Sequence, residues 1–239
     1  MNVMIDPSHL QNVPAPAARY LRRVLRDRHL YIEHVELHQS GKLRTSLKRE
    51  NWMPFQARHT VVPPRTEFVW AARVTPFPFF QLTVSDTFIA GEGTGEVKLF
   101  GVFTLERQKG GEPMNAGSLH RYLAEAVWYP TALLPSDALA WTPIDDTKAL
   151  ATLTHAGISV SLEFRFGPTG AVTSIYTPGR WGAFPEGFRE VAWEGRFHDY
   201  RLHGGVLVPT RGEVGWYVGD TWTCVWDGSI ESARYDFVL

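Results

Sequence analysis

Cysteine occurs once in the 239 residues, as Cys224 in TWTCVW. One thiol forms no intrachain disulfide and no thiolate metal cluster, so Cys224 reads as a small residue packed in a strand. An excess of charge of either sign is also missing, with 24 Lys and Arg against 25 Asp and Glu. Nucleic acid or an anionic membrane surface is therefore not the expected main partner. No run approaches ~20 consecutive apolar residues, so no membrane span is expected. The opening MNVMIDPSHLQNVPAP lacks the basic and then apolar segments of a secretory signal, and the expected compartment is the cytoplasm. The nine histidines include no HExxH spacing and no HxH pair joined by a carboxylate. No GxSxG elbow occurs, and the glycines of Gly91–Gly95 do not open a helix after a parallel strand. No metal, phosphate loop, serine nucleophile or cofactor is expected.

Large flat apolar side chains are abundant: 13% of the residues are aromatic and nine are Trp. Most of the chain alternates with period two. Val35 and Leu37 oppose Glu36 and His38; Phe68, Trp70, Ala72 and Val74 share a face; so do Leu82, Val84, Asp86 and Phe88. Later, Val160, Leu162, Phe164 and Phe166 alternate with Ser161, Glu163 and Arg165. Gly41 marks a turn or bulge, and Gly91–Gly95 and Gly167–Gly170 mark turns. Val97–Leu105 reads as one strand. Pro76 and Pro78 make the aromatic run Phe77–Phe80 a loop or an edge. Residues 177–190, with Gly179, Gly182, Pro185 and Gly187, read as a long loop, either packed or a lid. About a dozen strands joined by short turns predict an antiparallel meander that curls or closes. The fold class is mainly β with minor α, a half-barrel in one domain spanning 1–239.

Two segments break the β pattern. A short helix is expected at 14–28, with Leu21, Val24 and Leu25 on its apolar face. The stretch 118–141, SLHRYLAEAVWYPTALLPSDALAW, is expected to form a central helix and loop. Leu119, Tyr122, Leu123, Ala126 and Val127 form one helical stripe, Ser118 is the expected N-cap, and Pro130 ends or kinks the helix near Tyr129.

The succession RYLRRVL, HVELHQSGKLR, NWMPFQARHT, TEFVWAARV, LTVSDTFIAGEGTGEVKLFG, LHRYLAEAVWYPTALLPS and FHDYRLHGGVLVP resembles a bacterial family known only as a domain of unknown function. That resemblance implies no catalytic residues. The segment YRLHGGVLVP, followed by alternating strands, also looks like the lipoprotein-carrier half-barrels. Their scaffold implies a curved antiparallel sheet around helices and an apolar cavity for acyl chains.

Asp86 stands in phase with apolar neighbours. An ionised carboxylate there needs a buried partner such as an arginine, or it has a raised pKa and moves protons. On the helix, Arg121 and Glu125 are spaced to pair, and His120 and Trp128 flank them. That face is an exposed ion pair, a proton-transfer group at a cavity mouth, or an internal tie from helix to sheet. Asp86, His120 and Glu125 are thus the candidate acid–base residues. Trp70, Trp128, Tyr129, Trp141, Arg180 and Trp216 are the candidate ligand-binding residues. The expected partner is a hydrophobic small molecule, of acyl-chain or polyketide type, held by area burial. The alternative is a cofactor-independent cyclase, isomerase or hydrolase acting on such a ligand.

Overall fold

The computed structural model describes residues 10–25 and 30–238. Six strands come first: β1 (Ile32–Leu43), β2 (Met53–Val62), β3 (Glu67–Phe77), β4 (Phe80–Ile89), β5 (Glu92–Leu99) and β6 (Phe103–Lys109). Seven more follow: β7 (Leu139–Asp145), β8 (Lys148–His155), β9 (Ile158–Phe166), β10 (Val172–Phe184), β11 (Gly187–His203), β12 (Val206–Val218) and β13 (Thr221–Phe237). Consecutive strands pair antiparallel within β1–β6 and within β7–β13, as short turns dictate, and β1 closes onto β13. The result is one 13-stranded sheet that runs from β6 through β1 and β13 to β7. This is the curled, mainly β half-barrel that the alternation implies.

The two edges of that sheet, β6 and β7, are consecutive in the chain. The segment between them must return from one edge to the other, and it does so across the inside of the curl. It opens with α2 (Glu112–Glu125) and continues as two 3-10 turns, Ala126–Trp128 and Pro130–Leu133. The helix touches β4 and β5 on one wall and β8 to β11 on the other. Leu119, Leu123 and Val127 are almost fully buried, as the stripe implies. Helix α1 (Ala15–Leu25) packs Tyr20, Leu21 and Val24 against β8, β9 and β12. Residues 26–28 of the helix expected at 14–28 lie outside the described residues.

Several boundaries differ from the sequence reading. The central helix starts six residues before Ser118, after Gly111 at a φ of 84°, with Pro113 in the first turn and Glu112 favourable to the helix dipole. Ser118 is therefore interior and buried. The helix ends at Glu125, and Tyr129, preceding Pro130, is forced out of the helical region to a φ of −140°. Glycines 93 and 95 belong to β5 rather than to a turn. A Cβ on Gly93 would lie 2.5 Å from Ser118 Oγ and 3.0 Å from the Met114 carbonyl, so its missing side chain lets α2 seat on the strand. The strand expected at Val97–Leu105 is two strands, because the chain turns at Phe100–Val102. Gly41 lies inside β1, pressed against Asp227 O and Gly228. Phe77–Phe80 is the tip of the β3–β4 hairpin.

Residues 177–190 are not a loop. They continue β10 and begin β11, with a bulge where the register slips between Thr177 and Arg180. Pro178 sits in that bulge, where its missing N–H costs no ladder bond. Gly182 accommodates the Trp216 indole, whose nearest atom would lie 2.6 Å from a Cβ.

Candidate functional site: a charged row in an aromatic cavity

Inward-facing residues of β2 to β4 and β10 to β13 surround the cavity-facing side of α2. From β4 comes Asp86. From α2 come Arg121 and Glu125, one turn apart, and Trp128 from the 3-10 turn that follows. Arg180 comes from β10, re-aimed by the bulge. Arg121 donates from Nη1 to Asp86 Oδ2 and from Nε to Glu125 Oε1 at 2.9 Å. Its guanidinium also lies over the rings of Trp70 at 5.0 Å and Phe68 at 5.2 Å. Burial works against the Arg121 charge, yet Glu125 and Asp86 together hold its pKa above the usual arginine value.

Glu125 has the opposite balance. Burial raises its pKa, and the pairing with Arg121 recovers only part of that cost. Its Oε2 lies 3.4 Å from His59 Nε2, with no hydrogen bond to either atom. His59 is fully buried. Burial, and then the positive charge of Arg121, push its pKa well below the ordinary histidine value. The imidazole is therefore neutral, and the contact is not an ion pair.

Two cavities share this row. The inner one, about 160 Å³, is walled by Trp128, Trp193, Phe197, Val214 and Trp226 and has Gly212 in its lining. The outer one, about 300 Å³, opens between β4–β6 and β10–β12 beside the start of α2. Asp86, Arg121 and Arg180 line both. The polar groups thus stand where the two spaces meet, and the remaining inner wall is mostly indole and phenyl. Among the described residues no group of three or more His, Cys, Asp and Glu is arranged to hold a metal ion. None of the described helices is long and apolar enough to cross a membrane.

The profile of a family of unknown function, DUF6544, matches residues 3–228. The chain belongs to DUF6544. Among solved structures, the crystal structure of a LolA superfamily protein from Nitrosomonas europaea is similar at a TM-score of 0.46 and 11% identity, covering 94% of each chain. No curated protein matches.

Within this DUF6544 chain, the residues proposed from sequence divide cleanly. Asp86, Glu125, Trp128 and Arg180 line the inner cavity, and Trp70 and Trp216 line the outer one. His120 does not join them. It points to the opposite side of α2, buried, with Nδ1 3.2 Å from Ala116 O and the Ser161 backbone close by. Burial, reinforced by the charge of Arg180, lowers its pKa to about 4. The reason is geometric: one residue is 100° of helix, enough to turn His120 from the cavity toward β9. Tyr129 is a core residue whose hydroxyl donates to Tyr122 O at 2.7 Å. Trp141 also packs away from both cavities, donating to Leu133 O at 2.8 Å and lying edge-on to Phe164. Cys224 is half-buried and donates to Trp226 O, and burial holds its pKa up near 11, which suits no nucleophile.

His59, Trp193, Phe197 and Trp226 escaped the sequence reading. A signal for His59 existed. It falls in phase with Phe55, Ala57 and Val61 on β2, an imidazole on an otherwise apolar inward face.

Proposed function

We propose that this protein binds a hydrophobic small molecule, of acyl-chain or polyketide type, between the curled sheet and α2. The observation that carries the reading is the inner cavity. Four aromatic residues and a valine enclose it, and its charged groups stand together at the junction with the outer space. Apolar walls with a few convergent polar groups are the usual make-up of a small-molecule site. Area burial supplies the affinity, and the row orients one polar end of the ligand. Native mass spectrometry of the purified protein tests this directly. A retained apolar ligand, displaced by added alkyl compounds, is the expected result. A protein that retains nothing and binds no alkyl compound rules the reading out.

A second reading has one observation in its favour. Glu125 faces the cavity, its pKa is raised by burial, and its Oε2 lacks a donor. A carboxyl in that position suits a general acid, with His59 behind it as a positioning residue and Asp86 as a partner held by Arg121. His120 has no part in such a mechanism. Asp86→Asn and Glu125→Gln separate the readings. Under binding alone both keep ligand affinity within a few-fold. Under catalysis Glu125→Gln abolishes turnover while affinity persists.

A further inference from the structure

Arg180 is a cation with an unfinished set of partners. Its guanidinium stands between two indoles, 5.1 Å from the Trp193 ring centre and 5.2 Å from that of Trp216. Nη2 donates to Gly117 O at 3.1 Å. Nε is sealed from solvent and has no hydrogen-bond partner. The two carboxylates of the inner cavity, Asp86 and Glu125, are both held by Arg121. At the outer mouth, Glu96 pairs with Lys98 and Glu106 accepts from the Gln108 amide. Each carboxylate around the cavities therefore has a partner other than Arg180.

An arginine placed in this way is costly unless something completes it. The cation–π contacts with both indoles offset part of that cost. They give the Nε–H no acceptor. A fork of coplanar N–H donors matches two oxygens of one anionic group.

We infer that Arg180 recognises an anionic head group, a carboxylate or a phosphate monoester, on the hydrophobic ligand, with the tail lying along Trp128, Trp193 and Trp226. This inference rests on the ligand-binding reading above and narrows it to anionic amphiphiles.

The test is a head-group series at constant chain length. Decanoic acid, decyl phosphate, decanol and decylamine are titrated into the full chain and followed by calorimetry. The acid or the phosphate is expected to bind about tenfold or more tightly than the alcohol, and the amine most weakly. Whichever anion is tighter identifies the head. Arg180→Gln is expected to abolish the preference for the anion over the alcohol, and Arg180→Lys to restore part of it. Equal binding of acid and alcohol by the unmodified protein overturns the inference while leaving the binding reading intact. Failure of all four to bind removes the binding reading, and this inference with it. The series on the unmodified chain decides the matter even if the Gln variant does not fold.

Discussion

Arg121 joins Asp86, 35 residues away in the chain, by a hydrogen-bonded ion pair that ties α2 to β4. The same guanidinium holds Glu125, so one cation serves two partly buried carboxylates. Taking it away strands both. Arg121→Met is expected to cost about 3–5 kcal/mol in urea unfolding. Asp86→Asn keeps the Glu125 pair and is expected to cost about 1–2 kcal/mol. If Arg121→Met proves neutral, the row is not what fastens the helix to the sheet.

Gly212 lies at the floor of the inner cavity. A Cβ there meets Trp226 at 3.5 Å and Trp128 at 3.6 Å, ordinary contact distances. Gly212→Ala should therefore fold and bind much as the unmodified protein does. Gly212→Leu fills the space and is expected to weaken alkyl binding about tenfold or more, with a stability change within about 1–3 kcal/mol. Undiminished binding by a folded Gly212→Leu variant would place the ligand elsewhere, and calorimetry beside thermal melting reads both quantities.

Acid should destabilise the fold through two histidines on either side of α2. Burial lowers the pKa of His120 to about 4 and that of His59 well below the ordinary value. A lowered histidine pKa gives stability that is complete above the unfolded-state value, about 6.5, and is lost as pH falls toward the folded-state value. For His120 the loss between pH 6.5 and 4 amounts to about 3 kcal/mol. Glu125 works in the opposite sense, since its raised pKa means that ionising it costs stability, and acidification relieves that cost. His120→Phe is expected to flatten the decline between pH 6.5 and 4, measured as unfolding free energy in urea at several pH values. A variant whose slope equals that of the unmodified protein would show that His120 does not titrate in this range.

Much of the site was legible locally. Asp86 could be placed on the inward face because a strand repeats every two residues and its in-phase neighbours are apolar. The Arg121–Glu125 pair could be read from helical spacing. The sequence puts Arg180 in a loop because Gly179, Gly182, Pro185 and Gly187 are strand breakers by propensity. In the fold Pro178 sits at a bulge and Gly182 yields to the Trp216 ring, so the hairpin tolerates both. His120 was grouped with Glu125 because they share a helix, but a helix buried on nearly all sides does not divide into a wet face and a dry one.

By itself the sequence determined the class of structure: period-two alternation with short turns makes antiparallel strands, and one helical stripe makes the insertion. Tertiary structure alone decided that β1 closes on β13, which makes β6 and β7 the edges and sends the helix across the interior. That closure brings Asp86 to Arg121 and sets Arg180 between Trp193 and Trp216. Local propensity acts over a few residues, whereas these contacts join residues tens of positions apart, and only the curl of the sheet sets the distance between them.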